Sequence, residues 1–331
     1  MSKLSDALKN KEFVITAELS PRKGTIVSNF IKTVNVLKDK VHAINITDNQ
    51  RAVMRMSSLV ASYLVLREGV EPVYQRTVNA LKDRVHAINI TDNQRAVMRM
   101  SSLVASYLVL REGVEPVYQL TCRDRNRLAL QSDLIGAAAL GIRNVLALTG
   151  DHPSAGDAPE AKPVFDLDAA TLLQTITKLN AGFDLNGHPL KGATDLFPGA
   201  ALTPQTEPLE PVLLAMERKI QAGAKFFQTQ PVFDIDAFAS FMSKTQQFRI
   251  PVMPGILLLH SAEQALNLNA HVPGIKIPDS LIKRLETAAD PHREGIEIAG
   301  ELIGKLRQVS QGVHIMTVGQ EKDISTVLER I

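Results

Sequence analysis

The sequence predicts an α/β protein folded as a (βα)8 TIM barrel, with eight strands and one surplus βα unit outside the ring. Short apolar, β-branched runs alternate with helical patterns along the whole chain, the signature of a parallel sheet. The connections between them are short. A tandem repeat of 44 residues stands near the N-terminus, and subtracting one copy from the 331 residues leaves 287. One (βα)8 barrel typically takes about 250 residues.

Strands are expected over residues 12–18, 43–47 (or the twin, 87–91), 117–122, 144–148, 197–202, 226–230, 251–256 and 313–317. Helical patterns fall at 54–67 (or 98–111), 126–140, 169–181, 209–222, 235–246 and 292–309. Counting the repeat once gives eight strands, which favours a closed barrel. No Pro/Gly/Ser-rich linker interrupts the chain, so a single domain over residues 1–331 is expected. The loop at 150–162 is long and follows a strand end, where barrel active sites are built. No strand is followed by G-x-G-x-x-G, and no G-x-x-x-x-G-K-[ST] occurs, so neither a Rossmann domain nor a P-loop is indicated.

The repeat joins residues 32–75 to 76–119, with only Lys32/Arg76, Val36/Ala80 and Lys40/Arg84 differing. Solenoid repeats drift and need about three or more copies, so two nearly identical copies look like duplicated coding sequence. Strand number, tilt and shear are linked in a barrel, so a ninth strand is not expected and one unit should be excluded. If residues 39–82 lie outside, the second copy supplies the barrel strand. If residues 69–112 do, the first copy supplies it.

The formal net charge is +2, with 37 basic and 35 acidic residues, and offers no electrostatic footprint for nucleic acid or an anionic membrane. Cys122 is the single cysteine, which excludes an internal disulfide framework and a Cys-rich metal site. No apolar run has the length of a signal peptide core at the N-terminus or of a membrane span elsewhere. A cytoplasmic protein is expected. The eight histidines show no metal-ligand spacing, so no metal site is expected.

Three polar residues at strand ends are candidates for chemistry. Glu18 ends the first strand, where partial burial would raise its pKa and suit it to general-acid work; the alternative is a salt bridge to Arg22 or Lys23. Asp151 follows a glycine in Leu148-Thr-Gly-Asp-His-Pro153 and either meets a ligand or caps a turn. Gln230 ends the apolar strand Phe226-Phe-Gln-Thr-Gln, and its amide both donates and accepts. Asp124 is expected to cap the helix after Cys122.

Taken in order, several stretches resemble the methylenetetrahydrofolate reductase family, in its short bacterial form and in the reductase half of fusions with homocysteine methyltransferase. They are Ala17-Glu-Leu-Ser-Pro-Arg-Lys-Gly24, Ile44-Asn-Ile-Thr-Asp-Asn49 and its copy, Leu120-Thr-Cys-Arg-Asp-Arg-Asn126, residues 134–151, Ala222-Gly-Ala-Lys-Phe-Phe-Gln-Thr-Gln-Pro-Val-Phe-Asp234 and Met253-Pro-Gly-Ile256. The resemblance implies a flavoprotein of one-carbon metabolism, serving methionine biosynthesis. It would reduce 5,10-methylenetetrahydrofolate to 5-methyltetrahydrofolate with FAD or FMN bound and NADH or NADPH as reductant.

It further implies that Glu18 is the general acid and that Asp151 faces flavin and folate. Thr47 or Thr91, Gln119, Thr121, Gly150, Arg218 and Lys219 fall at flavin contacts, and Gln230 and Gln264 at folate contacts. Departures are Gln119 where many members carry histidine, Val212 and Ala215 in place of polar contacts, and Leu268 in place of an aromatic. A homo-oligomer is the family expectation, and some relatives use an iron–sulfur or methyltransferase partner. Two rival readings are another pterin-binding barrel enzyme and a non-catalytic assembly subunit whose flavin site the duplication disrupts.

Overall fold

Among the described residues of the computed structural model, 3–11, 13–19, 43–46, 86–272, 274–317 and 323–331, nine parallel strands close into a ring. Helix α1 (Lys3–Lys9) precedes β1 (Val14–Leu19), β2 (Ala43–Ile46) and β3 (Ala87–Ile90). Regular alternation follows: α2 (Ser102–Arg111), β4 (Pro116–Thr121), α3 (Arg127–Ala139), β5 (Asn144–Leu148), α4 (Ala169–Asn180), β6 (Phe197–Leu202) and α5 (Glu210–Gln221). The chain continues through β7 (Phe226–Pro231), α6 (Ile235–Thr245) and β8 (Val252–Leu257). Three helices then precede the last strand: α7 (Ala262–His271), α8 (Asp279–Thr287) and α9 (Pro291–Leu306) lead to β9 (Gly312–Met316), and α10 (Ile324–Val327) ends the chain. Helices α7 and α8 have no counterpart in the expected list.

The strands fall within two residues of their expected limits because most are apolar runs bounded by turn residues. Several helix starts are set by side chains. Asp168 and Thr171 form a reciprocal capping box on α4, and Asp234, Ser261 and Asp290 cap α6, α7 and α9. The cap of α3 differs from expectation. Asn126 accepts from the Leu128 and Ala129 amides, whereas Asp124 pairs with Arg123 at 2.6 Å. Asn126 stands directly before the first helical residue, within reach of the free amides, and Asp124 does not.

Two apolar layers hold the barrel. Outward-facing strand residues such as Tyr118, Leu120, Val145, Phe227 and Ile315 pack beneath the helices. Inside, Val14, Ala87, Val117, Leu146, Phe226 and Met253 fill the bottom of the ring, and Ala7 and Leu8 of α1 seal it. Burying α1 against this layer closes the end away from the loops that follow the strands.

The seam at the repeat corrects the expected eight-stranded ring. Strand β2 is not excluded: it pairs with β1 through Thr16↔Ala43 and Leu19↔Ile46, and with β3 through Ala43↔Ala87, Ile44↔Ile88 and Ile46↔Ile90. Both copies carry Ala-Ile-Asn-Ile, so both offer β1 the same ladder. Yet β1 also pairs directly with β3, through Ala17↔Ile88 and Glu18↔Asn89. The ring closes at β9, from Val14↔Gly312 to Ala17↔Ile315. An eight-strand path that omits β2 is therefore already hydrogen-bonded. The expected helix at 54–67 lies outside the described residues, and the helix expected at 98–111 begins at Ser102.

Removing residues 32–75 should accordingly leave a protein that folds, since β1 and β3 already meet. We expect cooperative thermal unfolding, followed by circular dichroism, with a midpoint no lower than that of the full chain. A deletion variant that does not fold would show that β2 is needed for closure.

Candidate functional site

The inner face of the ring changes character along the strands. Apolar residues at the bottom give way to polar ones at the C-terminal ends: Ala87, Asn89, Thr91 on β3 and its end; Val117, Gln119, Thr121 on β4; Phe226, Gln228, Gln230 on β7. Side chains alternate with a period of two along a strand, so each of these triplets points into the barrel. Asn89 and Gln228 join across the interior by reciprocal amide hydrogen bonds, and both are buried.

Above this bridge lies a cavity of about 250 Å³. It brings together six expected site residues: Thr91, Gln119, Thr121, Gly150, Asp151 and Gln230. Leu146, Leu148 and Met316 give it apolar surface, and Gln228, His314 and Arg123 add polar surface that the sequence reading does not single out. A volume just below the roughly 300–1,000 Å³ of common small-molecule sites suits a ring system, with the rest of a larger ligand outside. A second hollow of about 560 Å³ shares Thr149 and Gly150 with the first and is walled by His152, Phe165 and Asp168.

Gly150 is required by its backbone. Its φ is +93°, and a Cβ there would lie 3.1 Å from the Cβ atoms of both Thr121 and Arg123. Only glycine takes this angle readily, and its bare backbone leaves the cavity wall flat. Asp151 is exposed, and its carboxylate accepts from the Arg95 amide at 3.1 Å. The Met98 amide donates to Asp157 at 3.0 Å. These bonds stitch the loop after β3 to the loop after β5 across the mouth. The β3 loop carries three positive-φ residues that are not glycine, Asn93, Arg95 and Ala96. Two buried oxygens in the cavity lining have no hydrogen-bond partner, Thr91 Oγ1 and Gln94 Oε1.

Asp92 anchors this end of the barrel. Its carboxylate is fully buried and accepts from the Thr121 amide at 2.9 Å, the Thr121 hydroxyl at 2.8 Å and the Arg125 guanidinium, which also reaches Asp133 at 2.9 Å. Burial alone would raise the Asp92 pKa, but Arg125 and the Thr121 hydrogen bonds outweigh it and hold the carboxyl below its ordinary value. Asp92 belongs to the second copy of Ile44-Asn-Ile-Thr-Asp-Asn49, but nothing local marks it as buried, because Arg125 is 33 residues away.

Three further expected residues, Arg218, Lys219 and Gln264, stand outside the cavity lining. Arg218 pairs with Asp168, on the wall of the second hollow, at 2.8 Å, and the Lys219 ammonium donates to the Ala201 carbonyl at 2.7 Å. Burial pushes the Lys219 pKa down. Gln264 sits in the first turn of α7, where its side-chain oxygen accepts from the His260 amide at 2.7 Å. Glu18 lies on β1 in register with Asn89. Thr47 lies outside the described residues.

The methylenetetrahydrofolate reductase family profile matches residues 78–331, which takes in the second copy of the repeat and leaves the first outside. The chain belongs to this family. "Methylenetetrahydrofolate reductase 1" of Schizosaccharomyces pombe is 25% identical over 223 residues, covering 64% of this chain and 35% of that protein. The "5,10-methylenetetrahydrofolate reductase" of Salmonella typhimurium is 26% identical over 208 residues, covering 61% of this chain and 64% of that one. The chain thus spans about a third of the fungal relative and under two thirds of the bacterial one. Among solved structures, an uncharacterized Clostridium thermocellum protein described as binding two copies of 5-methyl-5,6,7,8-tetrahydrofolic acid superposes with a TM-score of 0.58. It is 15% identical, and the match covers 99% of this chain and 97% of that one, so the likeness is one of fold.

Replacing Asp92 with Asn removes a charge that Arg125 and Thr121 are built to meet. Breaking a buried pair strands the remaining charge, and with Asp133 still beside Arg125 we expect a loss of about 3 kcal/mol in urea denaturation. The folded-state pKa of Asp92 lies below its ordinary 3.8. Its stabilisation is therefore full above that value and lost as the pH falls through the folded one. The gap between wild type and Asp92→Asn should be widest near neutral pH and close in acid.

Proposed function

We propose that this chain reduces 5,10-methylenetetrahydrofolate to 5-methyltetrahydrofolate, with NADH or NADPH as reductant and a flavin, FAD or FMN, held at the barrel mouth. The reading is supported by family membership together with one observation of the site. Buried, unpartnered Thr91 Oγ1 and Gln94 Oε1 line the same cavity as the bare backbone of Gly150. Hydrogen-bonding atoms at the edge and a flat wall fit a planar ring system with polar rims.

A flavin bound there would supply the hydride that reduces the methylene carbon. Thr91, Gln119, Thr121 and Gly150 would hold its ring, and Asp168 and Arg218 at the second hollow, with Lys219, would meet the remainder. Gln230, exposed at the end of β7, binds the pterin edge, and Gln264 offers the folate the part of its amide not taken by His260. Asp151 orients the pterin and biases the charge around the ring. Glu18 donates the proton to the folate nitrogen released when the five-membered ring opens, so its carboxyl must hold a proton near neutral pH. The barrel works as one unit over residues 1–331, and its second copy of the repeat supplies the site threonine.

Adding FAD or FMN to the purified protein should give a yellow complex. NADH or NADPH should bleach it, and methylenetetrahydrofolate should restore the colour. Protein that takes up neither flavin would instead support a non-catalytic subunit or a different pterin enzyme. Glu18→Gln should lower folate reduction by about 10²–10⁴-fold while sparing NAD(P)H-to-flavin transfer in stopped-flow assays; folate reduction at near-normal rate would remove Glu18 from the acid role. Thr91→Val should weaken flavin binding about tenfold, roughly one charge-free hydrogen bond, whereas Thr47→Val should leave it unchanged.

A further inference from the structure

A second constellation stands outside the cavity. His260 follows the end of β8, His292 lies in the first turn of α9 and Asp323 precedes α10. One potential ligand atom from each lies within 4.8 Å of the other two. The His292 Nε2 atom is 2.7 Å from the Asp323 carboxylate, and the two imidazole rings are 5.4 Å apart between centroids. The spacings of 32 and 31 residues have no metal-motif pattern, so only folding reveals the group.

The approach is built into the backbone. Gly295 of α9 faces the chain just before His260, and a Cβ there would lie 1.7 Å from the Leu259 carbonyl oxygen. Glycine alone lets the helix come this close, which brings His292, three residues earlier, onto His260. Both ring nitrogens of His260 are buried and have no hydrogen-bond partner. Buried polar atoms are almost always paired in native proteins, so an imidazole with neither nitrogen paired keeps one open to a ligand.

We propose that His260, His292 and Asp323 bind one divalent ion of the zinc class at the rim of the barrel. Two imidazoles and a carboxylate are a borderline donor set that suits zinc and its first-row neighbours rather than magnesium or calcium. Tetrahedral bonds of about 2.1 Å put donor atoms about 3.4 Å apart, a distance that small side-chain rotations reach from the present arrangement. The His292 side chain is 41% exposed, so water can enter and take the fourth position. The ion joins three elements distant in sequence, and it fixes the turn whose His260 amide holds Gln264. This site stands apart from the reading of the cavity.

The test uses the full chain, stripped with a chelator and titrated with Zn²⁺ against a chromophoric zinc indicator. We expect one equivalent to bind, undisturbed by excess Mg²⁺, and to raise the thermal midpoint. His260→Asn, His292→Asn and Asp323→Asn should each weaken binding by about tenfold or more, at least the loss seen when a supporting partner is removed. If His260→Asn fails to fold, the half-exposed His292 and the unaltered protein still decide the matter. X-ray absorption at the zinc edge of the wild-type complex should show two imidazoles with oxygen ligands. Failure to bind zinc, binding that survives the His292 and Asp323 substitutions, or a zinc spectrum without imidazole would each overturn the proposal.

Discussion

A closed parallel sheet has no free edge, so every strand must find a partner on both sides. The rest of this molecule depends on that closure. The seam joins β9 to β1 and β1 onward to β3 and β4, and the cavity forms only because the strand ends then face one another across the ring. The duplicated segment presses on this constraint, because it presents the same strand to the seam twice. Strand β2 pairs with its own copy in register, Ala43 with Ala87, while β1 holds both copies at different residues. Identical sequence gives identical hydrogen-bonding potential, and the chain accommodates the surplus at the one place where it matches.

Within the ring, polarity is graded along the strands. Apolar side chains and α1 close the bottom, where water is excluded. The amide pair of Asn89 and Gln228 marks the transition, and above it polar groups gather around the cavity. Such groups are tolerated only where each finds a partner or a ligand. Asp92 satisfies Thr121 and Arg125 and so braces the end of β4 and the start of α3 against the end of β3. Two oxygens left without a partner, Thr91 Oγ1 and Gln94 Oε1, line the cavity where a ligand would enter. Polarity is thus divided along one axis, with an apolar floor and a polar rim braced by Asp92.

Much of the site was legible in the sequence. Strand ends are visible as apolar runs stopping at polar residues, and barrel geometry places such ends at one face. Asp151 and Gln230, read from strand ends, meet there with Thr91, Gln119, Thr121 and Gly150, which the family resemblance implied. Asp92, Arg123, Gln228 and His314 were not legible as site residues, because nothing in their local sequence marks their convergence on the cavity. Asp124 went wrong for a related reason: its composition suits a cap, but Arg123 claims it and Asn126 stands at the helix start. Arg218, Lys219 and Gln264 were placed by likeness, and the fold sets them beside the cavity rather than in it, against Asp168, Ala201 and His260.

The sequence by itself determined the alternation of strands and helices, the parallel sheet, the strand limits and the face on which the candidate residues gather. These follow from local periodicity and turn chemistry, which act over a few residues. The tertiary structure alone decided how the strands of the two copies share the seam, that Thr91 is buried at the cavity, and that His260, His292 and Asp323 converge. Two identical segments differ only in what surrounds them, and three residues scattered over the last quarter of the chain become neighbours only when the helices pack. Information of that kind is carried by closure and packing, which no window of sequence contains.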